Sequence, residues 1–203
     1  MYSQHDEEKY ILEAVKDIPD GTFLDIGAFD GRTFSNSYAL AEKGWRGVLI
    51  EPSAGPFKAL MKTMKDNDRA SLINAAVAPE GTGLVKLWQT DDMVSTIDED
   101  HKKLWQDAIK TNPYQLTYAP TISYRQIITS QALPYGQFDF VNLDAEGSAN
   151  WGIFLDMMKW DQSIRRAMCI EFDSKKDEML RLAMSKGFDL VHTTEENMIF
   201  VRR

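Results

Sequence analysis

One cysteine and three histidines are all that this 203-residue chain offers to disulfide or soft-metal chemistry. The lone Cys169 excludes an internal disulfide and fits a reducing, cytoplasmic setting. It lies in the apolar run Ala167-Met168-Cys169-Ile170, where it reads as a small buried hydrophobe and not as a nucleophile. His5, His101 and His192 stand far apart, so no zinc-ligand spacing is present. Long apolar runs are missing as well. Ile11 to Val15 and Met198 to Val201 fall far short of the roughly 20 residues that cross a bilayer, so no membrane partner is expected. The start, MYSQHDEEKY, is polar and acidic, unlike a signal or transit peptide. Positive charge is scarce: 23 Lys and Arg face 31 Asp and Glu, for a net charge of −8. That balance argues against nucleic acid as a partner and fits a small or neutral substrate. Repeats, low-complexity tracts and linkers are absent, and no feature sets an oligomeric state.

What is present is an ordinary soluble composition, 43% hydrophobic and 27% charged, enough for one domain over residues 1–203. Tyr10, Ile11, Ala14, Val15 and Ile18 have the one-sided spacing of an amphipathic helix. Beyond it, strands over 22–26, 47–50 and 71–78 alternate with helices over 35–43 and 56–65. Such strand-helix alternation predicts a parallel sheet covered on both faces. The middle is less regular, with a strand over 84–89, a helix over 98–110, an extended or looped stretch over 112–120 and a short helix over 123–131. Alternation returns with strands over 138–143 and 167–172, each followed by a helix. Finally, 188–193 and 198–202 are joined by only Thr194-Glu195-Glu196-Asn197, too short for a crossover, so the last strand must run antiparallel. The predicted architecture is an α/β fold with a mostly parallel seven-stranded sheet, a C-terminal antiparallel hairpin and helices on both faces.

In such a sheet the ligand lies across the carboxyl ends of the strands. The octamer LDIGAFDG, Leu24 to Gly31, reads as a buried strand breaking into a glycine turn, where Gly27 and Gly31 can take positive φ and leave room for a ligand. Asp25 and Asp30 add two acids, which would repel a pyrophosphate. They suit a ligand carrying an ammonium group and ribose hydroxyls, as S-adenosylmethionine does; a tight turn with solvated acids is the plain alternative. Glu51 follows Asp25 by 26 positions, near the spacing at which a carboxylate accepts hydrogen bonds from a ribose. Pro52 and Ser53 close that strand, and Asn74, Ala75 and Ala76 would make a small edge for adenine. Asp144 and Glu171, 27 positions apart, end consecutive strands. Three readings stay open for them: a magnesium-like cation held by both, a metal-free general base at Asp144 or Glu146, or plain positioning of the cofactor. Among the remaining candidates, His101 beside Lys102 and Lys103 reads as solvated surface. His5 lies within reach of a strand edge, and Trp105 is placed to line a substrate pocket.

Taken together, LDIGAFDGRTFSNSYAL, GWRGVLIEPS, DFVNLDAEG, IEF and GFDLVHTTEENMIFVRR resemble the FkbM-type S-adenosylmethionine-dependent methyltransferases over nearly the whole chain. The resemblance implies a Rossmann-like class I methyltransferase fold and methyl transfer to a hydroxyl of a small molecule or carbohydrate acceptor. It implies Gly27, Ala28, Gly31, Glu51 and Asn74 as cofactor contacts, Asp144 beside the methionine end, and Ser35-Asn36 near cofactor or acceptor. Where the family start carries Gly-Glu-Asp after Ser-Gln, this chain has His5-Asp6-Glu7-Glu8. The acceptor is expected to enter past an insert around residues 91–120. Two rivals remain. An NAD-type oxidoreductase needs a Gly-x-Gly-x-x-Gly turn that Gly27 to Arg32 does not supply, and a catalytically silent cofactor-binding protein would keep the pocket without turnover.

Overall fold

The short, continuously apolar runs become the centre of a sheet because their alternate side chains are buried on opposite faces. The computed structural model describes residues 1–90, 95–106, 113–130 and 136–203. In chain order the elements are α1 (Glu7–Ala14), β1 (Thr22–Ile26), α2 (Tyr38–Glu42), β2 (Arg46–Ile50), α3 (Ala54–Thr63), β3 (Ala70–Ile73), β4 (Ala76–Val77) and β5 (Leu84–Gln89). There follow α4 (Glu99–Trp105), β6 (Gln115–Ile122), α5 (Tyr124–Thr129), β7 (Phe138–Leu143), α6 (Ser148–Lys159), β8 (Ile164–Glu171), α7 (Lys176–Ser185), β9 (Phe188–Thr193) and β10 (Asn197–Arg202).

Seven strands form one sheet in the order β3-β2-β1-β7-β8-β10-β9. The first five are parallel, and β10 runs antiparallel to both β8 and β9. This is the α/β architecture expected from the strand-helix alternation and the closing hairpin. Leu24, Val48, Val141 and Met168 pack into the core on one face, and Phe23, Leu49, Phe140 and Cys169 on the other. Cys169 is thus fully buried, as its apolar run suggests. The register sets Ile26 beside Ile50 and Leu143, and Leu143 beside Ile170, so four strands end together. Chain order reverses between β1 and β7, which opens a crevice at that edge. Among the described residues no helix is long and apolar enough to cross a membrane.

Several local expectations change. The helix expected over 35–43 begins only at Tyr38. Phe34 has a φ of 52° and pairs with Ser3 in an isolated bridge, and the Ser35 hydroxyl accepts from the N–H groups of Ser37 and Tyr38, so the chain turns here before it coils. The strand expected over 71–78 divides: β3 stays in the large sheet, while β4 joins β6 and β5 in a small three-stranded sheet. Of the stretch 112–120, expected to be extended or looped, Asn112 lies outside the described residues and 115–120 belong to β6, whose antiparallel pairing with β5 runs from Leu84 with Pro120 to Gln89 with Gln115. Of the helices expected over 98–110 and 123–131, α4 and α5 cover the described parts. Residues 107–110 and Gln131 lie outside the described residues.

Candidate functional site

A chamber of about 510 Å³ opens at the carboxyl edge of the large sheet. Its floor is the turn after β1. The N–H groups of Gly27 and Ala28 both donate to the Ile50 carbonyl at 3.0 Å, which draws the turn against the end of β2. Gly27 has a φ of 85°, and a Cβ added there would fall 1.6 Å from the Asp144 carbonyl oxygen. Its glycine is therefore required by the approach of β7, and only indirectly by a ligand. Gly31 is similar: its Cβ would meet Leu60 Cδ1 at 2.5 Å, so it packs the turn onto α3.

Glu51 is held at the end of β2 by two backbone donors, Phe29 N–H at 3.1 Å and Ser53 N–H at 2.7 Å. It lines the chamber at 6% exposure. Burial raises its pKa to about 7 against the pull of those donors, with the nearby Asp25 charge adding to the rise. Pro52, Ala75 and Ala76 line the same end. Asn74 does not. Its amide donates to the carbonyls of Glu51 at 2.8 Å and Pro52 at 3.1 Å, so it fastens the loop from behind. Ser53 also lies outside the chamber wall. Asp30 lies outside it too, because its carboxylate accepts from Arg32 N–H at 2.8 Å and from Thr33 N–H at 2.7 Å.

Deeper in the chamber, Asp25 is 2% exposed and accepts from Ser37 Oγ at 2.5 Å and Asn142 Nδ2 at 2.9 Å. Burial raises its pKa despite both bonds. Asn36 donates to Asn142 Oδ1 at 3.1 Å, and Ser35 stands beside it on the wall. A chain of short polar side chains thus links β1, β7 and the turn before α2.

At the other end, Asp144, Glu146 and Glu171 bring one carboxylate oxygen each to within 4.8 Å of one another. Burial raises all three above the usual carboxylate range, and mutual repulsion adds to it for Glu146 and Glu171. Asn150 on α6 donates to Glu171 Oε2 at 2.6 Å and to Asp173 Oδ2 at 3.0 Å. The cluster fits a hard cation chemically, since it offers several oxygens close together.

His101 is the main surprise. In place of solvated surface it lines the chamber with its side chain 11% exposed. Its Nε2 lies 3.2 Å from Glu146 Oε2 and accepts from the Trp105 indole N–H at 3.1 Å. Burial lowers its pKa against the pull of the Asp173 and Asp98 charges. Asp98 builds this wall. Its carboxylate caps α4 through the N–H groups of Asp100 and His101 and reaches Ser148 N–H at 2.9 Å, at the start of α6. Burial opposes its charge, but these donors and the Ser148 side chain outweigh it and hold the pKa at about 2. The i to i+4 spacing of His101 and Trp105 on a capped helix was a readable signal for this pair. Trp105 lines the chamber as its place in the sequence suggested, whereas His5 is not part of the wall.

No protein-family profile matches the chain, and no curated protein matches it in sequence. Solved structures resemble it in fold. The methyltransferase domain of METTL16 is 10% identical, with 96% of this chain and 64% of that one aligned and a TM-score of 0.53. A candidate methyltransferase, yhhF, from Escherichia coli is 10% identical over 99% of this chain and 87% of that one, with a TM-score of 0.53. A candidate RNA methyltransferase from Pyrococcus horikoshii is 10% identical over 97% and 81%, with a TM-score of 0.52. The chain thus has the Rossmann-like fold of class I methyltransferases.

Proposed function

We propose that the protein is an S-adenosylmethionine-dependent methyltransferase of the FkbM type that methylates a hydroxyl of a small molecule or carbohydrate. The observation that carries this reading is Glu51: a buried carboxylate fixed by two backbone donors at the end of β2, facing a chamber at the switch between β1 and β7. Each of its oxygens keeps a lone pair for a ribose hydroxyl, the role a strand-end acid plays in related folds. Gly27 and Ala28 bring the turn beneath the cofactor, Ala75 and Ala76 leave a flat surface for adenine, and Asp25, Asn36 and Asp144 stand where its ammonium and methionine end would lie. Asp30, Gly31, Ser53 and Asn74 act through the turns they hold together. The residues form one domain, with 91–120 serving as the acceptor's entrance; its described part supplies Thr96, His101, Leu104 and Trp105 to the chamber.

When bound, S-adenosylmethionine supplies an electrophilic methyl carbon whose bond to sulfur breaks, the electron pair staying on sulfur, as the acceptor oxygen's lone pair forms the new bond. Asp144 takes the hydroxyl proton, and the chamber contributes by holding both reactants at short approach. The same carboxylates suit magnesium, which would acidify the hydroxyl. Methyl transfer undiminished by a chelator would dismiss the metal. Net charge and the acidic wall speak against a nucleic-acid acceptor.

The decisive experiment is calorimetry with S-adenosylmethionine on the wild-type protein and on Glu51→Ala. The wild type is expected to bind and the variant to lose binding. Unchanged affinity in the variant would remove the ribose assignment, and a wild type that does not bind would remove the methyl donor.

A further inference from the structure

A second cavity, of about 310 Å³, adjoins the acidic end of the chamber. The two spaces share His101, Leu104, Phe172 and Asp173, so a ligand seated in the second reaches the first past those residues. Trp151 on α6 and Met179 on α7 complete an apolar lining with Leu104 and Phe172. Gly147 lets α4 close against the start of α6, since a Cβ there would fall 2.9 Å from the His101 Cβ. At the mouth Leu104 and Trp105 remain 77% and 42% exposed, large apolar surfaces that a ligand would cover.

The charged side chains of this lining are already paired within the protein. Asp98 accepts from three backbone N–H groups, those of Asp100, His101 and Ser148. Asp173 accepts from the Asn150 amide at 3.0 Å, Asp100 meets Lys103 at 2.8 Å, and Lys175 lies 3.4 Å from Glu178. His101 is the exception. Its Nε2 accepts from the Trp105 indole, which can only donate, so the neutral ring carries its proton on Nδ1. That nitrogen is buried and has no partner among the described residues. The unmet group on this wall is thus a donor, suited to an uncharged oxygen and not to an ammonium.

The geometry points to an uncharged alcohol or phenol with a flat, apolar body as the methyl acceptor, its ring seated against Trp151, Phe172 and Met179 and its hydroxyl directed past His101 into the chamber. This rests on the methyl-donor reading, in which the cofactor occupies the chamber from Glu51 to Asp144 and leaves the second cavity to the acceptor. Between an apolar small molecule and a carbohydrate, the lining selects the first. A sugar ring carries hydroxyls on most of its carbons, and each would leave water for this lining without gaining a partner. An apolar ring gains by leaving water and fills the same space. An ammonium finds the acids of the lining already met by donors within the protein.

The test is calorimetry on the full chain with 4-ethylphenol, methyl β-glucoside and tyramine, each with and without saturating S-adenosylhomocysteine. With that product bound, 4-ethylphenol should bind at least about tenfold more tightly than the glucoside, the least that burying an aromatic ring supplies. Tyramine should gain nothing over 4-ethylphenol. Trp151→Ala and Leu104→Ser should each weaken 4-ethylphenol at least about threefold, the worth of one buried CH₂ group, with S-adenosylhomocysteine affinity unchanged. Leu104 is largely exposed, so the second variant keeps the fold even where the first does not. A glucoside as tight as 4-ethylphenol, tyramine about tenfold tighter than it, or 4-ethylphenol affinity unmoved in both variants would overturn the inference. S-adenosylhomocysteine binding without any binding of 4-ethylphenol overturns it alone. Binding of 4-ethylphenol that the variants weaken, without S-adenosylhomocysteine binding, instead removes the methyl donor and leaves the apolar cavity standing.

Discussion

At the residue scale, Gly27 and Glu51 carry the site in different ways. Gly27 combines a positive φ with the approach of the Asp144 carbonyl, leaving no space for even one methyl group. Gly27→Ala is expected to cost more than about 4 kcal/mol or to prevent folding, read as the midpoint of denaturant unfolding. A midpoint within experimental scatter of wild type would contradict the close approach. Its glycine was legible in the octamer, but its reason was not: the obstructing atom lies 117 residues away in sequence. Glu51 was legible because it ends an apolar strand before a proline. Its backbone donors and raised pKa were not, since they arise from the turn after β1 folding across β2. His101 was misread for the same kind of reason. Its lysine neighbours suggested solvent, while Glu146 and Gly147, which lie against it, come from the loop between β7 and α6.

At the scale of elements, α4 is the piece most dependent on one side chain. Asp98 caps it, ties it to α6 and so aims His101 at Glu146. Asp98→Ala should lower stability by about 1–2 kcal/mol, as loss of a cap does. Under the proposed function it should also raise the acceptor KM with cofactor affinity unchanged, because Glu51 and the glycine turn lie on other elements. Steady-state kinetics paired with calorimetry separates the two effects, and an unchanged KM would argue that α4 does not form the acceptor's wall. The helices and strands themselves were mostly legible from local periodicity. The division of 71–78 between two sheets was not, because local pattern says that a segment is extended but not which neighbour it pairs with.

For the whole molecule, buried acids without cations govern the response to pH. Glu51 has an ordinary value of 4.5 and about 7 when folded, so the folded protein keeps a proton that the unfolded chain releases. Stability from that proton is full below about 4.5 and is lost as pH rises through about 7. Asp144, Glu146 and Glu171 shift in the same direction. The ligand-free protein should therefore melt at a higher temperature at pH 5.5 than at pH 8, and Glu51→Gln should flatten part of that slope. A Tm that holds or rises across this range would mean that the cluster is neutralised in solution by something bound.

Composition and pattern alone established the α/β class, the closing antiparallel hairpin and the strand-end acids Asp25, Glu51, Asp144 and Glu171. Strand periodicity, turn chemistry and loop length are local properties, written within a few residues of where they act. Folding decided which of those acids share a chamber, that Asp30 and Asn74 brace turns outside it, and that His101 and a second apolar cavity adjoin Glu146 and Asp173. Those are outcomes of packing between segments distant in sequence, where burial and charge are set by neighbours that no local pattern names.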